Sequence, residues 1–79
     1  MVHYETVPPE KIKRIRALLR DLDESNAEIA PVRGRIARQL PQARSGSETL
    51  QLRQAYALVD RLYQGNTRLA ELITKFLAG

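Results

Sequence analysis

Apolar positions recur along two long segments of the chain in alternating steps of three and four residues. This spacing is typical of helices that pack along a shared seam, whereas a strand would need apolar residues at every second position. Seven of nine positions are apolar in the first stripe and seven of eight in the second. The first stripe is Ile12, Ile15, Leu19, Leu22, Asn26, Ile29, Arg33, Ile36 and Leu40, and the second is Leu52, Ala55, Val59, Leu62, Asn66, Leu69, Ile73 and Phe76. The pattern therefore predicts an all-α fold in which two helices pack as an antiparallel hairpin.

Proline and small polar residues mark the ends of the two predicted helices. Pro9 suits a first helical turn, where its missing N–H needs no partner, and Pro41 disfavours a helical conformation for the residue before it. Ser45 and Glu48 have the spacing of a capping box, in which each side chain accepts from the other residue's backbone N–H. We therefore predict an N-terminal arm at 1–7 and a helical hairpin at 8–79, made of a helix at 8–40, a turn at 41–45 and a helix at 46–77.

Pro31 lies inside the first predicted helix. A proline there removes one backbone hydrogen bond and crowds the preceding turn, which costs about 3 kcal/mol in a helix interior. The helix is therefore predicted to be kinked or broken near this residue. The heptad phase is the same on both sides of Pro31, which favours a kink.

Two asparagines interrupt the apolar stripes. Asn26 and Asn66 each lie 20 residues from Gly46, so folding the chain at Gly46 brings them to the same height. A buried polar group without a partner costs about 1–3 kcal/mol. A shared hydrogen bond would satisfy both amides and fix the register of the two helices. The alternative is that each side chain reaches solvent at the edge of the hairpin.

Further apolar residues widen both stripes beyond what a two-helix hairpin can bury. An exposed apolar band of this kind marks an interaction surface, and two hairpins can cover it by forming a four-helix bundle. The alternative is a tighter fold that leaves only scattered apolar residues on the surface. The predicted interface consists of Leu18, Leu22, Ile29, Val32, Leu58, Leu62, Leu69 and Leu72, in contact with a second copy or a related helical protein.

The composition offers little for catalysis or cofactor binding. The 79 residues contain no cysteine, which excludes disulfides and thiolate metal sites. They contain one histidine, His3, so a histidine-rich metal site is excluded as well. The four glycines are dispersed and form no phosphate-binding loop. Asp21, Glu24 and Glu28 share one helix face and could hold a divalent cation weakly, but such a run is more often a solvated face. We therefore expect no enzyme activity, no cofactor, and no catalytic or metal-binding residues.

Basic residues give the chain a net charge of +4 and fall into two runs. The runs are Lys11, Lys13, Arg14, Arg16 and Arg20 in the first turns and Arg33, Arg35, Arg38 and Arg44 around the connection. A basic helical adaptor that binds nucleic acid, with strongly salt-dependent affinity, is therefore the alternative function. Against it, these residues wrap several faces of the helix and have no interleaved aromatic residues for base stacking.

The ends and apolar runs of the sequence also bear on location. The first residues lack the basic and apolar regions of a signal peptide, and no apolar run approaches the length of a membrane span. We therefore expect no membrane span and a cytoplasmic protein, with leaderless secretion as an open alternative.

Two helices of similar length joined by a short connection of small residues resemble the WxG family of helical-hairpin proteins of type VII secretion. The segment 40–46 lies where that family carries its Trp-x-Gly turn, with Ala43 at the tryptophan position and Ser45 at the glycine position. The resemblance is one of topology and implies a homodimeric or heterodimeric four-helix bundle. It further implies a small component, substrate or chaperone of a secretion system.

Overall fold

The computed structural model describes residues 7–79, and within them the chain is helical without any strand. Helix α1 spans Pro9–Gln39, one 3₁₀ turn spans Leu40–Gln42, and helix α2 spans Gly46–Ala78. Residues 1–6 of the predicted arm, His3 among them, lie outside the described residues. The two helices pack against each other and form a rod that measures 58 × 22 × 14 Å.

A proline lies at or next to each end of helix α1. Pro9 occupies its first turn and Glu10 adds a negative charge near the positive end of the helix dipole. The helix begins at residue 9 and ends at residue 39, one residue inside each predicted limit. Pro41 lies in the 3₁₀ turn that follows, where no α-helical hydrogen bond is required of it.

Helix α1 runs without interruption through Pro31. The alternative of two separate helices in this segment is therefore wrong, while a bend at Pro31 stays a prediction. The packing of α1 along α2 on both sides of Pro31 offsets the local cost of the proline, because residues 26 and 33 both bind α2.

The predicted cap of α2 is formed in part as expected. The Glu48 backbone N–H donates to the Ser45 hydroxyl over 3.0 Å, which satisfies one unpaired donor of the first turn. The Glu48 carboxylate does not return the bond to Ser45. It accepts instead from the backbone N–H of Arg44 over 3.4 Å, so the box is offset by one residue.

The seam between the two helices buries few side chains. Asn26 pairs with Asn66 and Arg33 with Asp60, which fixes an antiparallel arrangement. Among the described residues only Ile73, at 9% exposure, is buried, and α1 contributes no buried residue. The other seam residues are half-buried, so the rod has no dry core.

Helix α2 departs from the predicted stripe in its middle turns. Six of the eight predicted positions are half-buried or buried, but Leu62 and Leu69 are 54% and 42% exposed. Tyr63 and Ala70, one residue further along, are half-buried in their place. At 3.6 residues per turn this difference amounts to a rotation of α2 by about 50°. The stripe that faces α1 is Leu52, Tyr56, Val59, Tyr63, Asn66, Ala70, Ile73 and Leu77, all half-buried or buried.

Candidate protein-interaction face

A polar cluster joins the two helices at mid-height. The Asn66 side-chain amide donates to the Asn26 side-chain carbonyl over 3.0 Å and to the Ser25 hydroxyl over 3.3 Å. The Asn26 amide donates to the Thr67 hydroxyl over 3.0 Å and to the Tyr63 backbone carbonyl over 3.3 Å. The structure thus brings the two predicted asparagines together. The partners Ser25, Thr67 and Tyr63 were not singled out from the sequence.

Arg33, the third polar residue of the predicted seam, also has a partner on α2. Its guanidinium donates to the Asp60 carboxylate over 2.8 Å and lies over the Tyr63 ring at 4.1 Å from the centroid. The two charged side chains are 26% and 36% exposed, so solvent weakens the ion pair. Asp60 was not predicted as the partner of Arg33, although a charged residue in a seam favours an oppositely charged side chain at the same height.

These bonds define two sides of the hairpin. Ser25 lies seven residues, or two turns, from both Leu18 and Val32, so the three share one face of α1. Asn66, which binds Ser25, is flanked by Leu62 and Leu69 at the preceding and following turn of α2. The exposed leucines of α2 and those of α1 therefore lie on the same side of the rod.

Polar contacts lie along the opposite edge of the seam. Asp60 and Thr67 are seven residues apart on α2 and bind Arg33 and Asn26, which are seven residues apart on α1. The salt bridge and the Asn26–Thr67 bond accordingly lie along the other edge of the seam from Ser25 and Asn66.

The apolar side carries six large side chains that are at least 40% exposed, which we name the leucine face. Four of them lie on α2 with the spacing of a heptad stripe, interrupted at Gly65. The six are Leu18 (45%), Val32 (40%), Leu58 (66%), Leu62 (54%), Leu69 (42%) and Leu72 (50%). These six side chains share one side of the rod, which differs from the scattered apolar residues of an ordinary surface.

The two other predicted interface residues lie at the inner edge of this face. Leu22 and Ile29 are half-buried between α1 and α2, because they also belong to the seam of α1. The eight predicted residues therefore fall on one side of the hairpin. The structure contains a single chain, so contact of these residues with a partner stays a prediction. Leu50, at 57% exposure, lies off the stripe near the connection.

Residues 7–79 offer few side chains arranged for binding a metal ion or a nucleic acid. Asp21, Glu24 and Glu28 are all exposed, and no three metal-ligating side chains come together in this part of the chain. Arg33 is engaged by Asp60 and Tyr63, whereas the other residues of the two basic runs are exposed. Neither α1 nor α2 has the length of apolar sequence that crossing a membrane requires.

Comparison of the chain with protein-family models, curated proteins and solved structures finds no match. The resemblance to WxG hairpins therefore stays a prediction. The class that the fold and this surface define is a two-helix hairpin with one apolar and one polar side.

Proposed function

We propose that the chain is a non-enzymatic helical-hairpin module that binds a second copy of itself or another helical protein through the leucine face. The observation that carries this proposal is the contrast between core and surface. Six large apolar side chains share one exposed side of a rod in which, among residues 7–79, only Ile73 is buried.

The leucine face is large enough to drive association. The exposed fractions of its six side chains amount to about three whole side chains. At roughly 1.5–3 kcal/mol for each buried Leu or Val, covering them contributes about 5–9 kcal/mol per hairpin. Two hairpins covering each other would gain about twice that, compared with an association cost of roughly 4–15 kcal/mol. Apolar burial on this face is therefore of the same size as the cost of association, which supports the proposal.

The total surface of the chain supports the same conclusion. A compact monomer of 9.0 kDa has an accessible surface of about 4850 Å². This chain exposes 6340 Å², roughly 30% more than that expectation. A partner along the rod would remove part of the excess and add the second apolar layer that two helices alone lack.

A four-helix bundle is the geometry that best suits two such rods. Helices of 31 and 33 residues have the matched lengths that a bundle requires, and the heptad spacing of the exposed leucines suits packing at a small crossing angle. Participation in a secretion system, as component, substrate or chaperone, would follow from the WxG resemblance alone and is the more specific form of the proposal.

Sedimentation of the wild-type chain over a wide concentration range tests self-association. We expect a species of about twice the 9.0 kDa monomer mass that dissociates when Leu58→Glu is introduced. Leu58 is 66% exposed in the single hairpin, so a charge there costs the monomer little. Ala57→Glu is the matched control, because Ala57 is also exposed but lies outside the leucine face.

A monomer at every concentration would restrict the proposal to another partner. Immobilised wild-type chain should then retain a helical protein that the Ala57→Glu control also retains and Leu58→Glu loses. Equal retention on both variants, or on neither, would overturn the proposal.

The alternative function as a nucleic-acid adaptor is tested by retention on DNA and RNA at low and physiological salt. Binding through phosphate contacts would fall steeply with salt and would not respond to Leu58→Glu. Absence of salt-sensitive retention removes this alternative.

A further inference from the structure

Charged residues border the leucine face in two rows with different patterns. On α2 the charged residues are spaced seven apart and lie beside the leucines, on the side away from α1. On α1 a second row with the same spacing lies beside Leu18 and Val32, on the side away from α2. The α2 row is Arg61, Arg68 and Lys75, and the α1 row is Arg14, Asp21, Glu28 and Arg35. All seven side chains are exposed, and the one ion pair within residues 7–79 is Arg33–Asp60, so none of the seven is paired within the hairpin.

The hydrogen bonds across the seam fix the heights of the two rows. Facing residue numbers sum to 92 or 93, as Asn26 with Asn66 and Arg33 with Asp60 show. Glu28 is therefore level with the gap between residues 61 and 68 of α2, and Asp21 with the gap between 68 and 75. Each acid of the α1 row thus lies midway in height between two bases of the α2 row. The rows border opposite outer edges of one hairpin, so they can meet only between two copies.

We propose that a second copy of the chain covers the leucine face, with α1 of one protomer against α2 of the other and both connections at the same end of the bundle. This proposal rests on the proposed function and specifies its partner and orientation. A two-fold axis parallel to the helices keeps every residue at its own height, so each protomer's acids meet the partner's bases along both outer seams. Charges that border an apolar seam set partner choice and orientation in this way.

The other symmetric arrangement is disfavoured by charge. A two-fold axis perpendicular to the helices would place α2 against the partner's α2, with three bases facing three bases. It would also place the two connections at opposite ends. Arg14 and Arg35 weaken the first arrangement at the two ends of each seam, because they are level with residues 78–79 and 57–58 and so lie as near in height to Lys75 and Arg61 as the acids do. Each seam still has four attractive neighbours, since Asp21 and Glu28 each lie between two bases, and only two repulsive ones.

Arg68→Glu distinguishes the two arrangements, because it should change the dimer Kd in opposite directions in the two cases. Arg68 lies between the heights of both acids, so in the proposed dimer the change replaces attraction by repulsion at two symmetric places and raises the dimer Kd about tenfold. In the other arrangement Arg68→Glu would lower the Kd, because it relieves repulsion between bases. A lower or an unchanged Kd overturns the proposed orientation.

A distance measurement gives an independent test. The chain has no cysteine, so Gln42→Cys places a single spin label in the exposed connection. In the proposed dimer the two labels share one end, at a separation comparable with the 22 Å width of the rod. A separation that approaches its 58 Å length would overturn the orientation while leaving self-association intact. A chain that stays monomeric in these experiments refutes self-association itself, so the two failures are distinguishable.

Discussion

Removal of the Asn26 side chain tests whether the polar cluster holds the two helices together. In the structure this amide makes three hydrogen bonds to α2, through Tyr63, Thr67 and Asn66, over 3.0–3.3 Å. Asn26→Ala removes all of them and leaves the Asn66 amide with Ser25 as its remaining partner. The substitution lies away from the leucine face, so it should act on the hairpin itself.

The expected cost follows from the number and burial of these bonds. A neutral hydrogen bond contributes about 0.5–1.5 kcal/mol net, and a polar group left unpaired in a dry site costs about 1–3 kcal/mol. The cluster is only half-buried, so water replaces part of what is lost. We expect Asn26→Ala to lower the free energy of unfolding by about 2 kcal/mol and Asn66→Ala by about 1 kcal/mol. Because they share a bond, the double variant should lose about 2 rather than about 3 kcal/mol.

Urea unfolding followed by helical circular dichroism measures these values. Protein concentration must be equal for all variants, since association with a second copy would shift the midpoint by mass action. Gln64→Ala is the control, because Gln64 is exposed and makes no side-chain bond among those found in residues 7–79. Additive losses for the two asparagines, or losses no larger than for Gln64→Ala, would refute the role of the cluster in fixing the register.

Three further outcomes follow from the local contacts. Ser45→Ala should lower the free energy of unfolding by about 1 kcal/mol in the same assay, because the first turn of α2 loses its side-chain acceptor; an unchanged midpoint would contradict this. Arg33→Lys should destabilise the hairpin almost as much as Arg33→Ala, because lysine lacks the planar group that both pairs with Asp60 and stacks on Tyr63. Full retention of stability by Arg33→Lys would show that the positive charge alone stabilises the hairpin. Pro31→Ala should raise the thermal midpoint and the free energy of unfolding by about 2 kcal/mol, because it restores a backbone donor inside α1; a lower midpoint would mean that α1 needs the proline.

The sequence predicts the helices and the chain reversal well, because those features depend on local signals. Heptad spacing, the prolines at residues 9 and 41 and the serine cap act within a few residues of each helix end. The equal distances of Asn26 and Asn66 from Gly46 also predict their meeting, since an antiparallel hairpin places such positions at one height.

The rotation of α2 could not be read from the spacing of apolar residues. Two stripes on α2, one through Leu62 and one through Tyr63, both fit the heptad repeat. The two stripes share four residues, which are Leu52, Val59, Asn66 and Ile73. The choice between them depends on what α1 presents. Asn26 and Arg33 bind Thr67 and Asp60, which lie on the tyrosine side of the stripe. Continuity of α1 at Pro31 was undecided for a similar reason, because tertiary packing competes there with a local cost of about 3 kcal/mol.

The polar residues of the seam and the exposed leucines thus have a common physical origin. If α2 presented Leu62 and Leu69 to α1, the seam would be drier, but Arg33 would lose Asp60 and the Tyr63 ring as partners. The observed rotation gives the half-buried guanidinium both an ion pair and a ring contact, and it leaves Leu62 and Leu69 on the exposed side of the rod. The arrangement therefore pairs the polar groups of the seam within one chain and leaves Leu62 and Leu69 exposed. On this reasoning the exposure of the leucine face is a consequence of the pairing of α1 with α2, and under the proposed function a partner that covers this face would add to the stability of the chain.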